Sequence, residues 1–283
     1  MHQPSSTMQR TGKHYSPRCV LVTDLDGTLY GNELDVGDGK LRGFNEVWKR
    51  SFEHDSLLVY CTGRSLAKFN ELKAAAPLME PDILICSVGT ELYRSNGQLD
   101  SHYAAQLDSS GWNHAQLWSA ASAAGSGLVM QASSEQRPHK ISLELAADAD
   151  SDVALARLNE SLSATGVPYS VIYSSSKDVD VLPLGASKGA ALRSLIDEWS
   201  AAGLDDGDVR RIAERVMVAG DSGNDTEMMA VDGVRVCCVG NAKPELLRWL
   251  DDHCCARMYQ AKGHCADGIL EALCHFGFML EDA

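Results

Sequence analysis

Short apolar runs recur along the chain, and each one ends in a polar or glycine-containing stretch. The runs 19–23, 57–61 and 216–219 are four or five residues long and almost entirely apolar. Such runs predict strands that are buried on both faces, as in a parallel sheet covered by helices. Apolar residues at helical spacing follow Ser65, and a broad apolar stripe follows Ser187. This alternation predicts an α/β fold with a doubly wound parallel sheet.

A different pattern occupies residues 98–183, which contain none of the polar clusters that follow the other strands. Periodicity there predicts two helices, at 113–124 and 152–164, and three strands, at 140–146, 169–174 and 178–182. Such a unit packs its helices on one face of a small antiparallel sheet. We therefore predict a core domain of residues 18–97 and 184–283, an inserted α+β cap domain of residues 98–183, and a disordered tail of residues 1–17.

Two carboxylates, Asp24 and Asp26, stand where the first predicted strand ends, and Gly27 follows them. Ligands bind at the carboxyl ends of strands in open α/β sheets. Like charges brought together there need a cation, so the pair is typical of phosphoryl transfer with Asp24 as nucleophile and Mg²⁺ as cofactor. An Asx turn after a strand explains the same residues when this motif is taken alone.

A second and a third polar cluster lie at the N-terminal starts of predicted helices. Thr62 and Gly63 lie between a strand and a helix, where free N–H groups and the helix dipole favour a phosphate; an ordinary N-cap is the alternative. Lys188 places a cation at a helix N-terminus, which is the unfavourable end of the dipole. An anionic ligand would remove this conflict, and a lysine that extends into solvent is the alternative.

The fourth cluster follows the third predicted strand and contains Asp221, Asn224 and Asp225. Asp221 would complete a hard oxygen site for Mg²⁺ together with Asp24. Asp225 would hold Lys188 and a metal-bound water in place. One such segment is typical of an ordinary loop, but four polar clusters in this order favour a common site.

The charge of the chain limits its partners. The 283 residues carry a formal net charge of −14 with 25 Lys and Arg, which argues against nucleic acid or an anionic membrane as a partner. No apolar run approaches the ~20 residues that a membrane span requires. An acidic protein that binds an anion needs local cations, for which Lys188, Lys140, Arg64 and Lys177 are the candidates.

The number and spacing of the cysteines indicate the redox state of the compartment in which the protein is found. Nine cysteines form no two-by-two zinc pattern, and an odd number without a signal peptide indicates a reducing environment, so we predict a cytoplasmic protein. Residues 1–17 contain no acidic residue and several Ser, Thr, Arg and Lys, so plastid targeting is the alternative.

Taken in order, the clusters at 24–28, 62, 188 and 220–225 resemble the four motifs of the haloacid dehalogenase superfamily. Within it, the chain is most similar to the sucrose-phosphate phosphatase group, from about residue 18 to the C-terminus. The segments that carry this second resemblance are 55–65, 79–82, 87–91, 140–142, 177–183 and 241–247. Plant members of the group have an additional C-terminal domain with no counterpart in this chain.

The resemblance implies a Rossmann-like hydrolase core with an inserted cap. It also implies Mg²⁺-dependent hydrolysis of sucrose 6-phosphate to sucrose and phosphate through an aspartyl-phosphate. Asp24 would attack the phosphorus, while Asp26 would first protonate the leaving sugar oxygen and then activate water. The implied phosphoryl-binding residues are Thr62, Gly63, Lys188 and Asn224. The implied metal site consists of Asp24, the backbone carbonyl of Asp26, Asp221 and, beside them, Asp225.

The cap would exclude water and select the sugar. Lys140 and Asp178 are our first choices for sugar contacts, since alternation puts Asp178 and Asp180 on one strand face, opposite Val179 and Val181. A solvated strand face is the alternative interpretation.

Several functions share such a core. Phosphatases of mannosyl-phosphoglycerate or glucosylglycerol phosphate would need only a different cap. A phospho-Asp signalling receiver module is the rival from another class, although it needs about half this length and no acid–base residue such as Asp26. We expect a monomer that acts on a small phosphosugar and that associates with the enzyme supplying it.

Overall fold

The computed structural model describes residues 16–31, 39–125, 127–174 and 176–279. The predicted tail, residues 1–17, lies outside these ranges except for its last two residues. The strands in the described ranges are β1 (Val20–Thr23), β2 (Leu57–Cys61), β3 (Ile83–Cys86), β4 (Glu91–Arg94), β5 (Leu128–Met130), β6 (Ile141–Leu145), β7 (Tyr169–Ser174), β8 (Asp178–Pro183), β9 (Val216–Gly220), β10 (Arg235–Cys238) and β11 (Met258–Gln260). The α-helices there are α1 (Gly39–Ser51), α2 (Leu66–Ala75), α3 (Ser101–Asp108), α4 (His114–Ala123), α5 (Ser151–Ser163), α6 (Lys188–Ala201), α7 (Val209–Glu214), α8 (Thr226–Met229), α9 (Pro244–His253) and α10 (Ala266–His275).

A seven-stranded sheet forms the core, in the order β11-β10-β9-β1-β2-β3-β4. Its strands are parallel except for β4, which pairs antiparallel with β3. The three central strands β1, β2 and β9 are buried along their whole length, as their apolar runs predict. The predicted α/β fold with a doubly wound, mostly parallel sheet is confirmed.

Helices cover both faces of this sheet because its strands expose apolar side chains on either side. On one face, Leu195 and Trp199 of α6 pack with Met228 of α8. On the other, Phe44 and Trp48 of α1 pack with residues of α2 and α10. Both layers leave the carboxyl ends of the parallel strands free for polar loops, which places a site at that edge.

A second sheet of four strands, in the order β5-β6-β8-β7, is antiparallel throughout. Helices α4 and α5 cover one face, where Leu117 and Leu158 pack against Val179 and Val181 of β8. The opposite face turns towards the core sheet, because Ile172 of β7 packs against the core cluster. This is the α+β cap that the insert pattern predicts.

The domain limits at residues 98 and 183 stay a prediction. Helix α3 falls inside the predicted insert, yet its Tyr103 and Leu107 pack in the core cluster. Periodicity predicted neither α3 nor β5, because each contributes too few buried side chains to show a pattern. Across the described ranges, no helix is both long enough and apolar enough to span a bilayer.

Candidate active site

The loop after β1 presents Asp24 and Asp26 to the carboxyl edge of the sheet. Backbone hydrogen bonds of 2.8 Å from Gly27 N to the Tyr30 carbonyl and from Tyr30 N to the Leu25 carbonyl close the loop. Gly27 has a φ of +80°, and a Cβ there would lie 2.7 Å from a carboxylate oxygen of Asp221. Only glycine therefore lets this loop approach the loop that follows β9.

Lys188 lies at the centre of the site and is completely buried. Its Nζ is 2.7 Å from Asp24 Oδ1, 2.7 Å from Asp225 Oδ1 and 3.4 Å from Asn224 Oδ1. Burial by itself lowers the pKa of Lys188, but the two carboxylates more than offset this effect, so the pKa is raised and the ammonium stays charged. The alternative that Lys188 extends into solvent is wrong.

Asp225 organises the loop after β9. Its Oδ2 accepts hydrogen bonds of 3.1 Å from the backbone N–H groups of Asp221 and Ser222, while its Oδ1 accepts from Lys188. These contacts fix the side chain, which is completely buried. Thr28, to which no role was assigned from sequence, donates from Oγ1 to Asp221 Oδ1 at 3.1 Å.

Three carboxylates converge at this point, because Asp24, Asp221 and Asp225 each offer an oxygen within 4.8 Å of the others. Burial, followed by the neighbouring carboxylates, raises the pKa of Asp24 despite the opposing effect of Lys188. Burial and then Asp225 raise the pKa of Asp221 to about 6. Three buried acids against one buried ammonium leave an excess of negative charge with hard oxygen donors, which fits a divalent cation such as Mg²⁺.

The segment after β2 lies beside the β1 loop, since these strands pair in parallel. Thr62 is buried, and its Oγ1 accepts a 3.1 Å hydrogen bond from Arg64 N. Helix α2 begins later than Thr62: Ser65 is its N-cap and accepts from Lys68 N at 3.3 Å. The anion at the start of this helix is the carboxylate of Glu135 in the cap. It accepts hydrogen bonds from Ser65 N at 3.3 Å and from Ser65 Oγ at 3.0 Å.

A turn with unusual backbone geometry supports this segment. Ser87 and Val88 have φ values of 55° and 59°, which residues with a side chain rarely adopt. Ser87 N donates to the Arg64 carbonyl at 2.9 Å, and Val88 N donates to the Thr62 carbonyl at 3.2 Å. The turn therefore holds the backbone around Gly63 in position, and such strain is frequent where a site must be rigid.

Arg64 contacts the second acid of the first motif. Its Nε is 2.7 Å from Asp26 Oδ2 and its Nη2 is 2.6 Å from Asp26 Oδ1, a two-point ion pair. Sequence reasoning offered Arg64 and Lys177 only as cations for the substrate. The structure joins Arg64 to Asp26 instead, and it pairs Lys177 with Glu144 at 2.8 Å at an exposed position of the cap.

Lys140 joins the cap to the core. Its Nζ lies 3.3 Å from Glu135 Oε2, 3.4 Å from Asp180 Oδ1 and 3.3 Å from the Gly63 carbonyl oxygen, and the residue is 1% exposed. Asp178, the other predicted sugar contact, accepts a 2.8 Å hydrogen bond from Gln131 Nε2. Asp180, on the same strand face, is thus the acid that meets Lys140.

Two further cap residues, Arg137 and Glu135, contact the core, and the sequence did not predict either contact. Arg137 donates from Nε and Nη2 to Glu91 Oε1 at 2.8 and 2.7 Å, and Glu91 is almost fully buried. Glu135 contacts Ser65 as described above. No local pattern could reveal these pairs, because their members lie 46 and 70 residues apart along the chain.

A doubly wound core with an inserted α+β cap and an Asp–Lys–Asp cluster at the carboxyl edge defines the class of haloacid dehalogenase-like proteins. A haloacid dehalogenase-like hydrolase protein from Bacillus subtilis shares the fold, with a TM-score of 0.60 and 16% identity over 93% of this chain and 94% of its own. The sequence model of sucrose-6F-phosphate phosphohydrolase matches residues 17–277. The chain belongs to this family.

Individual relatives extend the comparison. The solved structure of the sucrose-phosphatase from Synechocystis sp. PCC6803, in complex with sucrose and phosphate, has a TM-score of 0.78 and 35% identity, covering 92% of this chain and 98% of its own. Probable sucrose-phosphatase 2 of Arabidopsis thaliana is 35% identical over 92% of this chain, which spans only 60% of the plant protein. A mannosylfructose-phosphate phosphatase of Agrobacterium fabrum is 33% identical over 92% of this chain and 98% of its own.

Proposed function

We propose that this chain is a Mg²⁺-dependent phosphatase that hydrolyses sucrose 6-phosphate to sucrose and phosphate. The observation that carries the proposal is the buried Asp24 carboxylate, which is 2.7 Å from Lys188 and next to two more acids in a member of this family. The likeness to a structure solved with sucrose and phosphate supports the choice of substrate.

In the first half of the reaction, a carboxylate oxygen of Asp24 attacks the phosphorus and forms an aspartyl-phosphate. The bond between phosphorus and the sugar oxygen breaks, and the carboxyl group of Asp26 transfers its proton to that oxygen. Lys188 stabilises the negative charge that spreads over the phosphoryl oxygens.

In the second half, water attacks the phosphorus of the aspartyl-phosphate. The Asp26 carboxylate takes a proton from this water, so Asp26 ends the cycle protonated, as it began. The bond between phosphorus and the Asp24 oxygen breaks, which releases phosphate and restores the free Asp24 carboxylate.

The remaining residues bind and orient the reactants. Thr62, Gly63, Lys188 and Asn224 would bind the transferring phosphoryl group. Mg²⁺ would be held by Asp24, the backbone carbonyl of Asp26 and Asp221. Asp225 would keep Lys188 and the backbone of its own loop in place through the hydrogen bonds that it accepts. When bound, the ion supplies positive charge that offsets the crowded oxygens of the site.

The cap supplies the sugar specificity in this proposal. The face of its sheet with Lys140, Asp178 and Asp180 turns towards the core, so these groups would hydrogen-bond to sugar hydroxyls and close the site to water. A second candidate substrate is mannosylfructose phosphate, since the Agrobacterium relative aligns over 98% of its own length.

The test is phosphate release with and without Mg²⁺ from sucrose 6-phosphate, mannosylfructose phosphate, mannosyl-phosphoglycerate, glucosylglycerol phosphate and glucose 6-phosphate. We expect a kcat/KM for sucrose 6-phosphate at least tenfold above that for each of the others, and no turnover by Asp24→Asn. A preference for mannosylfructose phosphate would transfer the assignment to that substrate. Full activity of Asp24→Asn would refute the mechanism.

We also propose a monomeric protein of a reducing, cytoplasmic compartment that associates with the enzyme making its phosphosugar. In the described ranges, six of the nine cysteines are buried as thiols, which suits a reducing environment. Light scattering on the purified chain tests the monomer, and co-purification with the phosphosugar-forming enzyme tests the association.

A further inference from the structure

The side chain of Asp26 needs an external support. It lies on a loop at the edge of the site, and 41% of the side chain is exposed, whereas that of Asp24 is almost fully buried. Without a fixed contact, a half-exposed carboxylate on a loop can adopt several rotamers, whereas proton transfer to a leaving oxygen requires one defined orientation.

Arg64 provides this support from the opposite loop. Its guanidinium binds both carboxylate oxygens of Asp26, at 2.7 and 2.6 Å, in the planar geometry that arginine offers. The arginine is anchored in turn: its backbone N donates to Thr62 Oγ1 at 3.1 Å, and its carbonyl accepts from Ser87 N at 2.9 Å. Its Nη1 also approaches the carbonyl of Lys68 in the first turn of α2, at 3.5 Å.

We propose that Arg64 is a positioning residue that aims the Asp26 carboxylate at the leaving sugar oxygen and at the attacking water. This inference rests on the proposed phosphatase function. A carboxylate has about four acceptor sites, and the two that Arg64 occupies leave the others for a proton and for the substrate. Arg64 thereby links the acid–base residue to the same loop that carries Thr62 and Gly63.

Direct binding of the substrate phosphate by Arg64 is the competing role. Two of the guanidinium nitrogens are already committed to Asp26, and Lys188 supplies a buried cation beside Asp24. The two roles differ in their kinetics, because loss of a binding contact raises KM whereas loss of positioning lowers kcat.

The experiment is a double-mutant cycle of Arg64→Gln and Asp26→Asn, assayed with the phosphosugar that the wild type hydrolyses best. We expect Arg64→Gln to lower kcat about 100-fold, as a misplacement of about 1 Å does, with KM changed less than about threefold. In the Asp26→Asn background the same substitution should change kcat less than about twofold. Arg64→Lys should not restore kcat, because an ammonium lacks the rigid planar geometry that fixes the orientation of a carboxylate.

Rapid-mixing experiments with 4-nitrophenyl phosphate add an independent measurement. Its leaving group departs as nitrophenolate and needs no proton from Asp26, so release of nitrophenolate in the first turnover should fall less than about threefold in Arg64→Gln. An equal 100-fold loss with both substrates would show that Arg64 supports the loop rather than the acid, and would overturn the proposal.

Arg94→Gln is the matched control, because Arg94 forms a comparable ion pair with Asp100 outside the site. Its kcat should stay within about twofold of the wild type. Independent losses from Arg64→Gln and Asp26→Asn, or a raised KM with unchanged kcat, would refute the positioning role. Failure of the phosphatase assignment is distinguishable, since the wild type itself would then release no phosphate from any phosphosugar.

Discussion

Asp221→Asn should stabilise the metal-free protein while removing its response to Mg²⁺. Burial and Asp225 raise the pKa of Asp221 from 3.8 to about 6. The folded protein therefore holds the proton of Asp221 more tightly than the unfolded chain does, so protonation favours folding. This contribution is fully present below about pH 3.8 and is lost as the pH rises through 6. At about 1.4 kcal/mol for each tenfold change in proton affinity, the ionised carboxylate costs the fold about 3 kcal/mol above pH 6.

The amide of the variant keeps the shape of the side chain and can still accept from Thr28, but it carries no charge. At about 2 °C for each kcal/mol, the Tm in EDTA at pH 7.5 should rise by about 6 °C, and the gain should shrink as the pH falls towards 4. Saturating Mg²⁺ should raise the Tm of the wild type but not that of the variant.

Asp232→Asn is the control for this comparison, because it removes one negative charge from an exposed turn. Its Tm should stay within about 1 °C of the wild type, and its response to Mg²⁺ should be unchanged. A lower stability of Asp221→Asn than of the wild type in EDTA, or an equal rise of both melting temperatures with Mg²⁺, would refute this prediction.

Three further predictions follow from individual contacts. Lys188→Met should abolish phosphate release and lower the metal-free stability by about 3–5 kcal/mol, since it leaves buried acids without their cation. Gly89→Ala should cost more than about 3 kcal/mol in urea denaturation, because a Cβ would lie 2.2 Å from the backbone at a φ of +91°, whereas Gly97→Ala, in open space, should cost about 1 kcal/mol. Lys140→Ala and Asp178→Ala should each raise KM for sucrose 6-phosphate about tenfold, or 1.4 kcal/mol.

The outcomes that contradict these predictions are specific. Residual activity of Lys188→Met above about 1% of the wild type would show that another cation serves the phosphoryl group. Equal costs at Gly89 and Gly97 would show that the close approach to α6 relaxes freely. An unchanged sugar preference in both cap variants would remove Lys140 and Asp178 from the substrate site, and Lys177→Ala, at an exposed ion pair, is their control.

Much of the core could be predicted from the sequence, since buried parallel strands leave short apolar runs that are recognisable without a partner. In the core, β2 has the predicted limits, and β1 and β9 differ from theirs by one residue. The cap was also predictable in outline, because alternation along β8 separates Val179 from Asp180. Helix α3 and strand β5 were not, because each buries too few side chains to produce a recognisable pattern.

The candidate site, too, was predictable only in part from the sequence. Acids after strand ends pointed to Asp24 and Asp221, because a parallel sheet brings the carboxyl ends of its strands together. Lys188 was indicated by its place at a helix N-terminus, where a cation is unfavourable without an anionic partner. The sequence did not reveal that Arg64 would contact Asp26, or that Arg137 would contact Glu91.

The sequence by itself determined the α/β class of the core, the polar clusters at its strand ends and helix starts, and the chemistry these groups can perform. These properties are local, since a residue's type and its neighbours along the chain decide them. Only the tertiary structure decided which charges meet. The ion pair of Lys188 with Asp24 joins residues 164 positions apart, and that of Arg64 with Asp26 joins residues 38 apart. Such pairs depend on how packed layers orient loops in space, and no spacing along the chain encodes that orientation.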